Sequence, residues 1–313
     1  MLIQDTLLRD IGRLFIWFPF RWIMEASPYK LAVAAADTMG VIDHHLCSSR
    51  REHLVRNLGN AFEEGFDVRS VAKRIMQTHY LNLLELFKFP AVNSRNLHEY
   101  ITLEGKHYID EVLEKGKGAI LATLHFGTMQ FPLVALGHMG YSINQVGDRD
   151  PSDSRLSYVH RKVALKYRMQ IESTFKAKHI YISKSLRSIY RSLNNNELVM
   201  LNVDGVGGIK GKRMKQHYLP VDFLGNEVLF PSGAARLSRR TGAPVVPVIC
   251  IRDSKYKHKV IVGEPITSAA NPDPERDIED YTKRIIGYFE QYIKSHPEQW
   301  LFWMEFERGY LLH

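Results

Sequence analysis

The sequence predicts an α/β fold: a mixed, largely parallel central sheet flanked by helices, with a helical layer on its N-terminal side. Three observations carry this prediction. From residue 101 onward, short apolar runs alternate with amphipathic segments, the pattern of strands and covering helices. Residues 28 to 89 carry helix signals alone. No repeat, low-complexity tract or Ser/Gly linker divides the 313 residues. The chain is therefore read as residues 1–27, a membrane-interface or packing helix, then 28–100, a helical layer, then 101–313, an α/β body, all forming a single functional unit.

The elements follow in order. The first segment, 11-IGRLFIWFPFRWIMEA-26, is apolar and aromatic but interrupted by Arg13, Pro19 and Arg21. Its longest apolar run falls far below the roughly 20 residues that span a bilayer. Aromatic rings beside arginines suit a segment lying in the membrane interface; a buried first helix of the core is the other reading. Ser49 is placed to cap a helix over 50–64. Asp67 is placed to cap one over 68–89, which Pro90 ends. Strands are expected at 101-ITLEG, 118-GAILATL, 141-YSINQV, 197-ELVMLNV, 217-HYLPVDF, 245-VVPVICI and 257-KHKVIVG, by their short apolar or alternating runs. Helices are expected over 106–115, 128–139, 154–168, 184–194, 231–241 and 278–295. The aromatic tail 296-HPEQWLFWMEFERGYLL-312 is expected to return to the body.

Composition bounds the function classes. Hydrophobic residues at 45% and charged residues at 24% are ordinary for a globular protein, which excludes global disorder and a polytopic membrane protein. Lys+Arg 42 against Asp+Glu 34 gives a formal net charge of +8, favouring an anionic partner. Zinc-finger, RNP-type and basic-zipper patterns do not occur, so nucleic acid is not that partner. The two cysteines, Cys47 and Cys250, stand far apart without ligand-like companions, so neither a disulfide framework nor a metal site is expected.

If 118-GAILATL-124 is a strand, His125 stands at its carboxyl end, where open α/β sheets place their reactive crevices. Gly127 then opens a helix whose first N–H groups suit a developing oxyanion. The plainer reading is a hydrogen-bonded structural histidine. Further on, in 222-DFLGNEVLFPSGAARLSRRTGAPVVPVIC-250, Pro231 is placed to open a helix and Gly233 to keep its first turn bare.

Together these blocks resemble the lysophospholipid acyltransferase superfamily, and more closely its bacterial branch of lipid A late acyltransferases and phosphatidylinositol mannoside acyltransferases. The branch's "HFGNWE" phrase is matched by 125-HFGTMQ-130, its "FFG" by 223-FLG-225 with Gly225, and its Pro-x-Gly block by 231-PSG-233. A "TGAPVVPV" phrase stands at 241–248, and 297-PEQWLFWMEFER-308 is similar to the family's "PEQWFW" ending. The order and spacing agree from about residue 101 to 250.

The resemblance implies acyl transfer from a thioester to a lipid hydroxyl at a membrane. His125 would take the acceptor's proton, a general-base role open to a neutral imidazole. Backbone donors near Gly127 and Thr128 would meet the oxyanion. In the family the position of Gln130 is acidic and supports the histidine. Gln130 offers a carbonyl oxygen to Nδ1–H but no charge. Three outcomes stay open: another carboxylate supplies the charge, with Asp204 at the end of 198-LVMLNVD-204 the candidate; the enzyme works without it; or the protein is a non-catalytic lipid-binding homologue. As an Asp-Gly pair, Asp204 also reads as a plain turn residue.

Basic side chains are candidates for substrate phosphate or donor binding: Arg161, Arg168, Lys210, Arg213, Arg236 and Arg239. Arg236 and Arg239 share a helix face and could point together at a phosphate. The acyl donor is expected to be acyl-CoA or acyl carrier protein, with no tightly bound cofactor and no metal. The expected location is the cytoplasmic face of the bacterial inner membrane, peripheral or monotopic. A serine esterase is disfavoured, because no G-x-S-x-G elbow occurs.

Overall fold

The computed structural model describes residues 7–147, 158–175, 177–181, 186–205 and 217–307. A helical arm opens it: α1 (Leu7–Phe15) runs through a π-helical turn, Ile16–Phe20, into α2 (Arg21–Ala26). Pro19 lies in that turn; proline has no N–H to give and crowds the carbonyl four residues back, which accounts for the widened helix. One face of this arm packs on the body and the other does not. Trp17 is buried and meets the rings of Phe87 and Tyr167 edge-on at 5.4 and 5.5 Å. Ile11, Phe15, Trp22 and Ile23 are exposed.

The helical layer continues with α3 (Tyr29–Leu46), α4 (Ser48–Gly59), α5 (Val68–Lys88) and the short α6 (Leu97–Tyr100). Asp67 caps α5 by accepting from the Ser70 N–H at 3.0 Å, and Pro90 lies in the tight turn that follows Lys88. Helix α4 departs from expectation: Cys47, not Ser49, stands at its cap, and it stops at Gly59, where Gly59 and Asn60 are poor helix formers.

The body runs β1 (Ile101–Glu104), α7 (Lys106–Glu114), β2 (Ala119–Thr123), α8 (Phe131–His138), β3 (Ile143–Gly147), α9 (Leu165–Glu172), β4 (Ala177–Tyr181), α10 (Arg187–Asn194) and β5 (Leu198–Asn202). It continues with β6 (Tyr218–Phe223), β7 (Asn226–Pro231), α11 (Gly233–Thr241), β8 (Val245–Arg252), β9 (His258–Val262) and α12 (Pro274–Ser295). Seven strands form one sheet in the order β1-β9-β8-β2-β5-β3-β4. β8, β2, β5, β3 and β4 run parallel. β9 is antiparallel to β8, and β1 is parallel to β9. The sheet is thus mixed and largely parallel with helices on both faces, as the alternation predicts.

Strand β2 lies at the centre with all five residues buried, which is why it reads as an unbroken apolar run. Its side chains alternate between two cores. Ile120 and Ala122 join residues of α11, α12 and the aromatic tail; Ala119 and Leu121 join residues of α2, α3, α5 and α8. The arm and helical layer therefore share a core with the sheet.

Three departures concern strands. β4 was not expected: its Lys178 and His179 break the apolar run, a pattern an edge strand tolerates. Segment 217–223 does form a strand, but as half of a separate two-stranded hairpin with β7. At its turn Leu224 and Gly225 both have positive φ, 53° and 68°, as tight two-residue hairpins demand, and a glycine accepts this freely. Pro231 does not open a helix. It ends β7 opposite Tyr218, and Ser232 stands at the N-cap of α11, with Gly233 first in the helix.

Candidate active site

His125 follows β2 and Asp204 follows β5, and the parallel pairing that matches Thr123 with Asn202 carries both to the same edge of the sheet. Asp204 grips its partner twice. Its Oδ1 lies 2.7 Å from His125 Nδ1, and its Oδ2 accepts the His125 backbone N–H at 2.8 Å. A third donor, the indole N–H of Trp300, reaches Oδ2 at 3.1 Å. A carboxylate with no exposure needs such partners. Because it can only accept, the proton between the two side chains sits on Nδ1 and leaves Nε2 basic. Nε2 accepts from Asn202 Nδ2 at 3.1 Å. The imidazole keeps 21% of its exposure, so it is open to a reactant.

The aromatic tail builds one wall. Trp300 bridges to Phe126, the Leu301 N–H donates to His125 O at 2.8 Å, and the Phe302 ring lies 4.5 Å from the imidazole. Gly127 is held on both sides: its N–H donates to Gln299 O at 2.8 Å, and its carbonyl accepts from Asn82 Nδ2 at 2.8 Å. Its φ is +52°, and a Cβ would lie 2.4 Å from the Cys250 carbonyl oxygen, so no other residue fits without backbone movement.

Behind this turn lies a buried polar cluster. The Thr128 hydroxyl is hydrogen-bonded to the Glu85 carboxylate and accepts from Arg252 Nη2 at 3.3 Å. Arg252 grips Glu85 with both terminal nitrogens and also donates to Asn82 Oδ1 at 3.1 Å. His258 Nε2 lies 3.0 Å from Glu85. Burial raises the Glu85 pKa, but Arg252 and His258 outweigh it and hold the carboxyl well below the usual range. The same burial pushes the Cys250 thiol up.

The sequence-derived candidates divide accordingly. His125 and Asp204 meet. Gln130 does not join them: Nδ1 is taken by Asp204, and Gln130, at the cap of α8, lines a small cavity with Leu86, Phe89 and Arg168. Gly127 is not a free oxyanion donor, since its N–H is engaged by Gln299, and the Thr128 side chain faces the Glu85 cluster. Arg236 and Arg239 do not converge on a phosphate. Arg236 pairs with Glu275 at 2.6 Å and Arg239 with Asp277 at 2.5 Å, tying α11 to α12. Arg168 is held by Glu172 at 2.9 Å and Gln145 at 2.6 Å. Lys210, Arg213 and the Arg161 side chain lie outside the described residues. Among the described residues no group of three metal-ligating side chains occurs.

Sequence reasoning passed over Asn202, Asn82, Glu85, Arg252 and Trp300. One signal was present for Asn202. Strand side chains alternate, so residues 202 and 204 share a face. For the others, only the folded chain brings the partners together.

Fold and site define a class: an α/β protein with a buried carboxylate orienting a histidine at the carboxyl edge of its central strands. The comparisons narrow it. Residues 4–305 match the family described as "Bacterial lipid A biosynthesis acyltransferase", and the chain belongs to that family. The curated protein "Phosphatidylinositol mannoside acyltransferase" of Mycobacterium tuberculosis is 24% identical over 221 residues, covering 69% of this chain and 63% of that protein. Its counterpart in a second strain of that species is 23% identical over 220 residues, with the same coverage. The match thus spans less than two thirds of the length of those relatives. Among solved structures, the 1-acyl-sn-glycerophosphate acyltransferase PlsC of Thermotoga maritima is similar at 15% identity and a TM-score of 0.38, covering 92% of this chain and 99% of that one.

Proposed function

We propose that this chain is a membrane-associated O-acyltransferase. It moves a fatty acyl group from an acyl thioester, carried by acyl carrier protein or coenzyme A, to a hydroxyl of a lipid or glycolipid. The observation that carries this reading is the His125–Asp204 dyad: Nδ1 is held at 2.7 Å while the ring stays 21% exposed. In this reading His125 Nε2 takes the proton of the attacking hydroxyl, and Asp204 stabilises the imidazolium that results. Family membership and the mycobacterial relatives' name support a glycolipid acceptor. The chemistry calls for neither a metal nor a tightly bound cofactor.

Membrane association is supported by the helical arm. Ile11, Phe15 and Trp22 are 56%, 65% and 55% exposed and recur at helical spacing on the face away from buried Trp17. Leu31, Ile42 and Leu46 of α3 are exposed as well. No helix among the described residues is long and apolar enough to cross a membrane. A peripheral or monotopic seat on the cytoplasmic face of the bacterial inner membrane fits this face and the thioester donor.

The test is thiol release from an acyl thioester by purified protein in the presence of lipid vesicles carrying hydroxylated acceptors. Release is expected, and its loss in His125→Ala. Equal release by the parent and His125→Ala would overturn the assignment.

A further inference from the structure

We propose that Asn202 is a catalytic residue, the side-chain donor that holds the oxyanion of the tetrahedral intermediate. This rests on the acyl-transfer reading. The family-like expectation of backbone donors after the histidine fails here on geometry. The Gly127 N–H is engaged by Gln299 O and the Leu301 N–H by His125 O, each at 2.8 Å. The Thr128 backbone N–H faces the buried Cys250 sulfur, and its hydroxyl is tied to Glu85. Asn202, by contrast, stands beside the reacting nitrogen.

The argument starts from Asp204. As a pure acceptor it fixes the proton on Nδ1, so Nε2 carries a lone pair and the Asn202 group facing it must be the amide N–H₂. Nε2 has one lone pair, so an arriving hydroxyl displaces the amide from it and leaves the N–H bonds of Asn202 free to turn to the carbonyl oxygen. Among the described residues the Asn202 side chain has no other hydrogen bond. The residue ends β5, in register with Thr123 of β2, so its backbone is fixed by the same sheet that fixes His125. An attacking oxygen needs to come within about 3 Å of Nε2. The carbonyl oxygen of the carbon it attacks then lies alongside an amide 3.1 Å from that nitrogen, within the reach an oxyanion donor needs.

The step balances as follows. The acceptor oxygen forms a bond to the thioester carbon while its proton passes to Nε2, and the carbonyl π pair moves onto oxygen, where the Asn202 N–H meets it. Collapse restores the carbonyl, breaks the carbon–sulfur bond and expels a thiolate that takes the proton back from Nε2. The products are an ester and a free thiol.

The experiment compares the parent, Asn202→Ala and the isosteric Asn202→Asp in the thiol-release assay, with thermal melts to verify folding. Asn202→Ala is expected to lower kcat about 10²- to 10³-fold, each protein measured at its own pH optimum, with KM within about threefold. With a dithioester donor, whose sulfur accepts hydrogen bonds poorly, the parent should be slower than with the thioester, and Asn202→Ala should show little of that preference. Asn202→Asp, which keeps the shape and loses the donor, should be at least as slow. Two results would overturn the proposal: kcat for either variant within tenfold of the parent, or a displaced pH profile in Asn202→Ala with full rate recovered at its own optimum, which would make Asn202 a positioning residue for the imidazole. A parent protein releasing no thiol would instead remove the acyl-transfer reading beneath it.

Discussion

Replacing Asp204 by asparagine keeps its shape and removes its charge, and the hydrogen bonds around it specify the consequence. One carboxylate oxygen faces His125 Nδ1; the other faces two donors, the His125 backbone N–H and the Trp300 indole. An amide placed there must set its own N–H₂ against one of these sets. Facing two donors is worse than facing one ring nitrogen, so the amide N–H₂ turns to Nδ1. The imidazole then accepts at Nδ1 and carries its proton on Nε2, the wrong tautomer for a base. The charge is lost too. Opposite charges about 4 Å apart at an effective dielectric near 20 interact by about 4 kcal/mol, roughly three orders of magnitude in rate. Tautomer and charge together give an expected fall in kcat of about 10³- to 10⁴-fold, the scale seen for the same change in hydrolase triads. The assay is steady-state thiol release with fixed lipid acceptor. Asp204→Asn turning over within tenfold of the parent would refute the reasoning.

Three further perturbations separate the site from its surroundings. Gln130→Ala is expected to keep kcat within about threefold, under 1 kcal/mol in barrier, because Gln130 lines a different cavity; a loss of a hundredfold or more would restore it to the catalytic group. Glu85→Gln should cost about 3–5 kcal/mol at pH 7, since it strands the buried Arg252. The depressed folded-state pKa of Glu85 makes its contribution present above the unfolded carboxyl value of about 4.3 and lost as pH falls through the lower folded one. Urea melts should therefore show the gap between parent and variant closing in acid, and a gap independent of pH would contradict this. On the arm, Phe15→Ser with Trp22→Ser should weaken binding to anionic vesicles about tenfold or more, at roughly 1.5–3 kcal/mol per large apolar side chain buried; unchanged co-sedimentation would remove the arm from the membrane.

The sheet was legible because its signals are local. β2 is buried on both faces and reads as a continuous apolar run, and Asp67 and Pro90 mark the limits of α5. β4 was not legible, because an edge strand needs no apolar run. The Arg236 and Arg239 pair misled for a related reason. Helical spacing places them on one face but says nothing of Glu275 and Asp277, which approach from α12.

By itself the sequence determined the alternation of strands and helices, the strand end that carries His125, and the ordered blocks that carry the family likeness. Periodicity and capping act over a few residues, so they survive in the linear order. Only the tertiary structure decided what meets the imidazole: Asp204 from 79 residues away, Trp300 from 96 residues beyond Asp204, and the loss of Gly127 as a free donor to the returning tail. Those contacts depend on which strands pair and where the tail returns, and burial of a carboxylate is tolerated only where the fold supplies every donor it needs.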